Sequence, residues 1–314
     1  MRLVFCGKET GRRKNQRELE IIYTCALVLE KLQFCYQLKE RCVMKFRKAW
    51  IGTALAAMLT LPAVLPASAV DVLSVEGRNV WSEAGARLVG EGTTYVSLRT
   101  VAGLLAPEAA VSWEDGVAWV RGDGLTLSAR PGDVWLTVND RALYIPYGVL
   151  AENGRTLVPI RVLAEAMGGS VDWSPEEGVT LTVGSGRPAA PAYTEDELYW
   201  LSRIISAESR GEPLLGKLAV GTVVLNRVDS GEFPNSIRDV IFDSKWGIQF
   251  QPVANGTVYD EPTAESVLAA KLVLDGARAA GDSLYFLAPE LTSNHWTMEN
   301  REFVVTIGCH WFYR

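Results

Sequence analysis

The chain has 314 residues, 48% of them hydrophobic and 22% charged, with a formal net charge of −6. That length and apolar content suffice for two globular domains. Residues 1–69 carry 12 Lys and Arg against 5 Asp and Glu, and the other 245 carry 19 against 32, giving net charges of +7 and −13. A body this acidic argues against nucleic acid as a partner and against adsorption to an anionic membrane. A polysaccharide, read by hydrogen bonds and ring stacking, stays open.

The opening segments have a different character. Met44-Lys-Phe-Arg-Lys48 is basic, Ala49–Leu61 is uncharged, Pro62 and Pro66 break any helix, and Ala67-Ser-Ala69 supplies small residues. That is the order of a secretory signal peptide over 44–69, with cleavage after Ala69 and membrane contact through this segment alone. The alternative is an uncleaved anchor, because Trp50–Ala69 is just long enough to span a bilayer. Residues 1–43 hold four of the five cysteines at spacings of 19, 10 and 7, which match no compact zinc pattern. They read as a spurious upstream extension, with translation starting at Met44; a cytosolic pre-segment with metal-binding thiols is the alternative. The remaining chain would be a secreted, wall-associated protein with one cysteine, Cys309, and no intrachain disulfide.

An internal repeat governs 70–184. Tyr95-Val-Ser-Leu-Arg99-Thr-Val-Ala102 aligns with Leu157-Val-Pro-Ile-Arg161-Val-Leu-Ala164, and Val111-Ser-Trp113 aligns with Val171-Asp-Trp173. Each copy reads as a short helix followed by a hairpin, turning at Glu114-Asp-Gly116 and Glu176-Glu-Gly178. Val134–Val138 and Ala142–Pro146 read as strands around an Asn139-Asp140 turn. The region resembles the copper amine oxidase N-terminal-like "stalk" domain of Gram-positive cell-surface proteins. Gly154–Arg161, Ala164–Gly168 and Val171-Asp-Trp173 carry the match, and Ser97 replaces a proline in the degenerate first copy. With no histidine or cysteine in 70–184, there is no copper site to expect. Arg99 and Arg161 read as structural residues at helix starts.

Residues 185–194 form a Pro/Ala/Gly linker too poor in large apolar groups to pack. Thr194 and Glu197 have capping-box spacing, opening a second domain over 195–314. Leu198–Glu208 is periodic for a helix, and Glu208 falls about 20° from Leu201, 40° from Ile204 and 60° from Ile205 on the wheel. The carboxyl therefore leaves from the face expected to be buried. Burial favours the protonated form, which a general acid requires; the other reading is a structural Glu paired with an arginine such as Arg227. Gly211-Glu212-Pro213 stops the helix. Leu214–Val228 is apolar nearly all round and reads as a core helix, with Gly216 and Gly221 permitting a close neighbour. Asn235–Phe242 and Ala264–Ala279 read as helices flanking a loop with Trp246, Gln249, Phe250 and Gln251. Ser283–Leu287 and Phe303–Ile307 read as strands, so the domain is α+β.

The inventory disfavours several chemistries. Only His295 and His310 are available for a zinc amidase. Cys309 and His310 are adjacent in a predicted extended segment and point apart, which disfavours a papain-like pair and leaves Cys309 as a small core residue. A lone-carboxylate mechanism survives best.

Ile204-Ile-Ser-Ala-Glu208-Ser-Arg-Gly-Glu-Pro213, Gly216–Arg227, Phe233-Pro-Asn235, Gln249-Phe-Gln-Pro252 and Ile307-Gly-Cys-His310 occur in that order. Together they resemble cell-wall hydrolases of the spore cortex-lytic SleB type over 195–314. The resemblance implies a lysozyme-like α+β fold and cleavage of the MurNAc–GlcNAc bond of peptidoglycan, typically by lytic transglycosylation, with Glu208 as the acid. No cofactor and no metal site is expected. Reducing-end hydrolysis, as by a muramidase, and a non-catalytic glycan-binding protein are the alternatives. Glu212 can serve a hydrolytic route or organise the cleft, and Asn226 is favoured over Arg227 as the neighbour orienting Glu208. Gln249, Phe250 and Tyr285 are candidates for sugar contacts, and His310 for the cleft wall. Leu287-Ala288 before Pro289 departs from common family members.

Overall fold

The computed structural model describes residues 71–245, 247–291 and 296–314. The upstream segment, the signal-peptide stretch, Trp246 and His295 lie outside the described residues.

The repeat takes shape from short β-rich runs punctuated by turn residues. In chain order come β1 (Leu73–Val75), β2 (Arg78–Asn79), β3 (Arg87–Val89), β4 (Thr93–Ser97), α1 (Leu98–Leu105), β5 (Ala110–Glu114) and β6 (Val117–Gly122). Then follow β7 (Leu125–Ala129), β8 (Trp135–Val138), β9 (Arg141–Tyr144), β10 (Leu150–Glu152), β11 (Arg155–Pro159), α2 (Ile160–Ala166), β12 (Ser170–Ser174) and β13 (Gly178–Thr182). The predicted hairpin turns form where backbone φ must be positive: Asp115 and Gly116 stand at 50° and 78°, and Asn139 at 49°, conformations that Gly, Asn and Asp tolerate. β4 and β11 pair antiparallel with Val96 opposite Val158. Those two valines are equivalent in the two copies, so the repeat is folded about a local pseudo-two-fold axis. Arg99 donates to the Val111 carbonyl at 3.2 Å and Arg161 to the Val171 carbonyl at 3.1 Å. Each arginine straps its helix to the first strand of the following hairpin, the structural role expected of it.

The connection after β13 begins against the repeat. Arg187 pairs with Asp123, Ser185 Oγ donates to the Arg187 carbonyl at 2.9 Å, and a Cβ at Gly168 would collide with that carbonyl. Ser185–Arg187 touches the repeat through backbone contact that glycine permits and one ion pair, while Ala189–Ala192 is exposed.

The C-terminal half holds α3 (Glu195–Ser209), α4 (Leu214–Asp229), α5 (Ile237–Ile241), α6 (Gln251–Asn255), a 3-10 turn (Thr257–Tyr259) and α7 (Ala264–Leu274). β14 (Tyr285–Leu287), α8 (Trp296–Asn300), β15 (Phe303–Ile307) and β16 (His310–Tyr313) complete it, with sheet order β14-β16-β15. This is an α+β arrangement preceded by the stalk-like repeat. The Thr194 capping box forms in full. Leu201, Ile204 and Ile205 of α3 are completely buried, as are Val220, Val223 and Val224 of α4. Gly221 makes that packing possible, since a Cβ there would stand 2.8 Å from Ile205 and 3.1 Å from Val273. Lys217 is buried in α4 and pairs with Glu265 at 2.7 Å. α7 stops earlier than its periodicity predicts, because Gly276 turns at φ 99°.

That early stop places Asp275 against the repeat. Arg141 Nε donates to Asp275 Oδ1 at 2.9 Å, and its Nη2 donates to Glu165 at 2.6 Å. The Arg141 and Asp275 side chains are only 9% and 2% exposed. Around them Ala142, Trp135 and Tyr144 join the apolar core of the helical half, and Lys271 donates to the Asp140 carbonyl at 2.7 Å. The repeat is therefore docked on α7. Breaking a buried pair leaves an uncompensated charge, a loss of about 3–5 kcal/mol. Arg141→Ala is expected to lower the urea midpoint of unfolding by an equivalent amount; an unchanged midpoint would show that the seam contributes nothing.

Candidate active site

α3 is oriented by its buried stripe of Leu201, Ile204 and Ile205, so Glu208 in its last turn is carried to the inner side of the helix end. The carboxyl is half-buried and no hydrogen bond to it forms among the described residues. Burial pushes its pKa up to about 7, while the positive charge of Arg227 opposes the shift and loses. Arg227 is itself poorly solvated. It is 4% exposed, its Nε donates to the Leu284 carbonyl at 2.7 Å, and its guanidinium faces Phe233, Phe250 and Tyr285 at 4.9, 5.1 and 5.6 Å. Burial lowers its own pKa to about 10. A cation held by rings and one carbonyl tempers the acid without converting it to a permanent carboxylate.

Arg227 also lines a cleft of about 660 Å³ together with Phe233, Gln249, Tyr285, Trp296 and Arg301. Glu208 is not part of that lining; Arg227 is the residue that connects the two. Of the sequence candidates, Gln249 and Tyr285 stand in the cleft wall. Gln249 is half-buried and donates to the Gly247 carbonyl at 2.9 Å. Tyr285 lies 4.4 Å under the Arg301 guanidinium.

Other candidates are placed differently. Phe250 is 2% exposed and belongs to the helical core, so it supports Arg227 from behind and presents no ring face to a sugar. Asn226 spends its amide on the Gly281 and Ser283 carbonyls, both at 2.9 Å. It fixes the approach to β14; the charged neighbour of Glu208 is Arg227, against the sequence preference for Asn226. Glu212, at the α3–α4 junction, accepts from the Cys309 amide at 3.1 Å and fills the space beside Gly308. It pins the β15–β16 turn to the helix junction.

Cys309 is exposed in that turn, not in an extended core segment. The adjacent Glu212 carboxylate raises its pKa, which disfavours the thiolate a nucleophile needs. His310 is buried edge-on against Phe286 at 5.4 Å, with Nδ1 unpartnered. Burial lowers its pKa, and it lies outside the cleft lining. No group of three or more metal-ligating side chains gathers among the described residues. Trp296 and Arg301 were missed in the sequence; their only signal was an aromatic and a cation in a polar loop stretch.

Comparison with known proteins assigns the chain. A family described as Cell Wall Hydrolase matches residues 211–313, a span beginning just after Glu208, and the Copper amine oxidase N-terminal domain matches 74–182. The spore cortex-lytic enzyme of Bacillus cereus is 34% identical over 120 residues, 38% of this chain and 45% of the relative. The cell wall hydrolase CwlJ of Oceanobacillus iheyensis is 32% identical over 108 residues, 32% of this chain and 75% of that protein. Among solved structures, the catalytic domain of the germination-specific lytic transglycosylase SleB from Bacillus anthracis is 32% identical, with a TM-score of 0.37. That match covers 40% of this chain and 100% of the other. The chain belongs to the cell wall hydrolase family, with a copper amine oxidase N-terminal domain upstream. It spans less than half the length of the Bacillus cereus relative.

The raised Glu208 pKa has a thermodynamic consequence. In the fold the carboxyl keeps its proton up to about pH 7, whereas its ordinary value is 4.5. Between those values the folded state binds more protons than the unfolded state, so stability falls as pH rises through the window. Glu208→Gln removes the penalty. At about pH 8 the variant is expected to exceed the parent in stability by roughly 3 kcal/mol, and at about pH 4 to match it. Thermal unfolding at both pH values checks this, and equal stability at the higher pH would contradict a buried, protonated carboxyl.

Proposed function

We propose that this protein is a secreted, wall-associated peptidoglycan glycosidase. In this reading it acts as a lytic transglycosylase on the MurNAc–GlcNAc bond, with Glu208 as general acid and base. The observation that carries the reading is a carboxyl with a pKa near 7 at a helix end, coupled to the arginine that lines a cleft of about 660 Å³. The names of the matched relatives support the substrate class. The signal-peptide pattern over 44–69 supports secretion, and processing after Ala69 belongs to the same proposal. So does a division into a stalk domain over 70–184 and a hydrolase domain over 195–314.

Protonated Glu208 donates to the glycosidic oxygen as the bond to C1 of MurNAc breaks and an oxocarbenium-like centre develops. The leaving sugar departs as the alcohol, and Glu208 becomes a carboxylate. That charge develops near the Arg227 guanidinium, which favours it. The C6 hydroxyl of the same MurNAc then attacks C1 and returns its proton to Glu208, closing a 1,6-anhydro ring. The nucleophile belongs to the substrate, so no second carboxylate is required. Glu212, bound to the Cys309 amide, organises the junction. Gln249 and Tyr285 supply an amide for N-acetyl groups and a ring face for a sugar.

Mass spectrometry of muropeptides released from vegetative peptidoglycan and from spore cortex separates the alternatives. Anhydro-muropeptides from the parent, with none from Glu208→Gln, are expected. Reducing ends would mean that water is the nucleophile, and undiminished release by the variant would overturn the assignment of Glu208.

A further inference from the structure

A second concave site lies in the repeat, away from Glu208. It encloses about 210 Å³ between the start of α1, strand β5 and the β10–β11 turn, room for roughly one sugar unit with its substituent. Arg99, Arg155 and Trp113 line it together with the hydroxyl residues Thr100, Ser112 and Thr156, and no Asp or Glu is in the lining. Among the described residues Arg155 has no acidic partner, and Arg99 bonds only the Val111 carbonyl. The nearest linked carboxylate, Glu114, accepts from Ser112 at 2.6 Å but is neutralised by Arg121 through bonds of 2.6 and 3.0 Å. Two unneutralised arginines in one cavity are unusual in a chain whose residues from 70 onward carry a net charge of −13.

The internal repeat supplies its own comparison. Where the second copy has Pro159, Val162 and Asp172, the first has Ser97, Thr100 and Ser112. The first copy has exchanged a proline, an apolar residue and an acid for hydroxyls at one pocket, while keeping the arginine and the tryptophan. Trp113 is 53% exposed, a large ring face left in water beside cationic donors. Arginine forks match phosphate and carboxylate oxygens, hydroxyls complete the shell, and an indole face stacks on a pyranose ring.

We propose that this pocket binds an anionic saccharide unit of the cell wall, making the repeat a second glycan-recognition site independent of the cleft lined by Arg227. Two sources supply that chemistry: a phosphodiester-linked wall polymer, or peptidoglycan with its free carboxylates. The full chain carrying Glu208→Gln, which should leave the glycan uncut, is tested in cosedimentation with intact purified walls. Walls stripped of phosphodiester polymers by hydrofluoric acid form the second arm.

Trp113→Ala and Arg155→Gln are each expected to weaken binding about tenfold, the scale of one lost charge-assisted or stacking contact. Trp173→Ala, at the equivalent exposed position of the second copy, is expected to leave binding unchanged. Thermal unfolding confirms that each variant is folded. Loss on intact walls alone assigns the phosphate polymer, and loss on both assigns peptidoglycan. Binding by both pocket variants within about twofold of the parent, or an equal loss in Trp173→Ala, would overturn the proposal. Because the comparison is made within one Glu208→Gln background, it fails or holds separately from the catalytic reading.

Discussion

The arrangement around Glu208 rests on a carboxyl and a guanidinium that both lie out of water but do not neutralise each other. Burial pushes the acid up to about 7, and the same burial brings Arg227 down to about 10. A direct bidentate pair would have fixed Glu208 as a carboxylate and removed its capacity to donate. Instead Arg227 is held by the Leu284 carbonyl and three aromatic rings. Much of the surrounding fold maintains that separation. Phe250 backs the guanidinium from the core, Asn226 ties α4 to the approach of β14, and Glu212 locks the hairpin turn against the α3–α4 junction.

The repeat is not a loose tether for this machinery. Arg141 and Asp275 meet in a nearly solvent-free seam, with Trp135 and Tyr144 packed against the helical core beside them. α7, which carries Asp275 at its end, also packs against α3 through the space left by Gly221. The repeat and the helix that bears Glu208 are thus connected through one packed helix.

The sequence revealed much of this because local signals were strong. Thr194 and Glu197 marked the start of α3, positive-φ residues marked the hairpins, and the wheel placed Glu208 on the face of Leu201 and Ile204. What escaped depended on contacts between distant segments. Asn226 and Arg227 are neighbours on one helix, and only the tertiary position of β14 decides that the amide faces backbone carbonyls while the guanidinium stands among aromatic rings. Phe250 looked like a sugar platform because a wheel or motif cannot show which side of a loop aromatic is occupied. Cys309 lay in a hairpin turn that Gly308, at φ +58°, makes possible. The α7 terminus was overextended because Ala277–Ala279 continue the apolar pattern past the break at Gly276.

The central claim is that the fold keeps Glu208 protonated near neutral pH. Carbon-detected NMR titration of side-chain carboxyls in glutamate-labelled protein, with Glu208 assigned by its absence in Glu208→Gln, measures this directly. A midpoint at about 7 is the predicted result. A midpoint near the ordinary 4.5 would contradict the account, because the acid would then be ionised and unable to start the reaction.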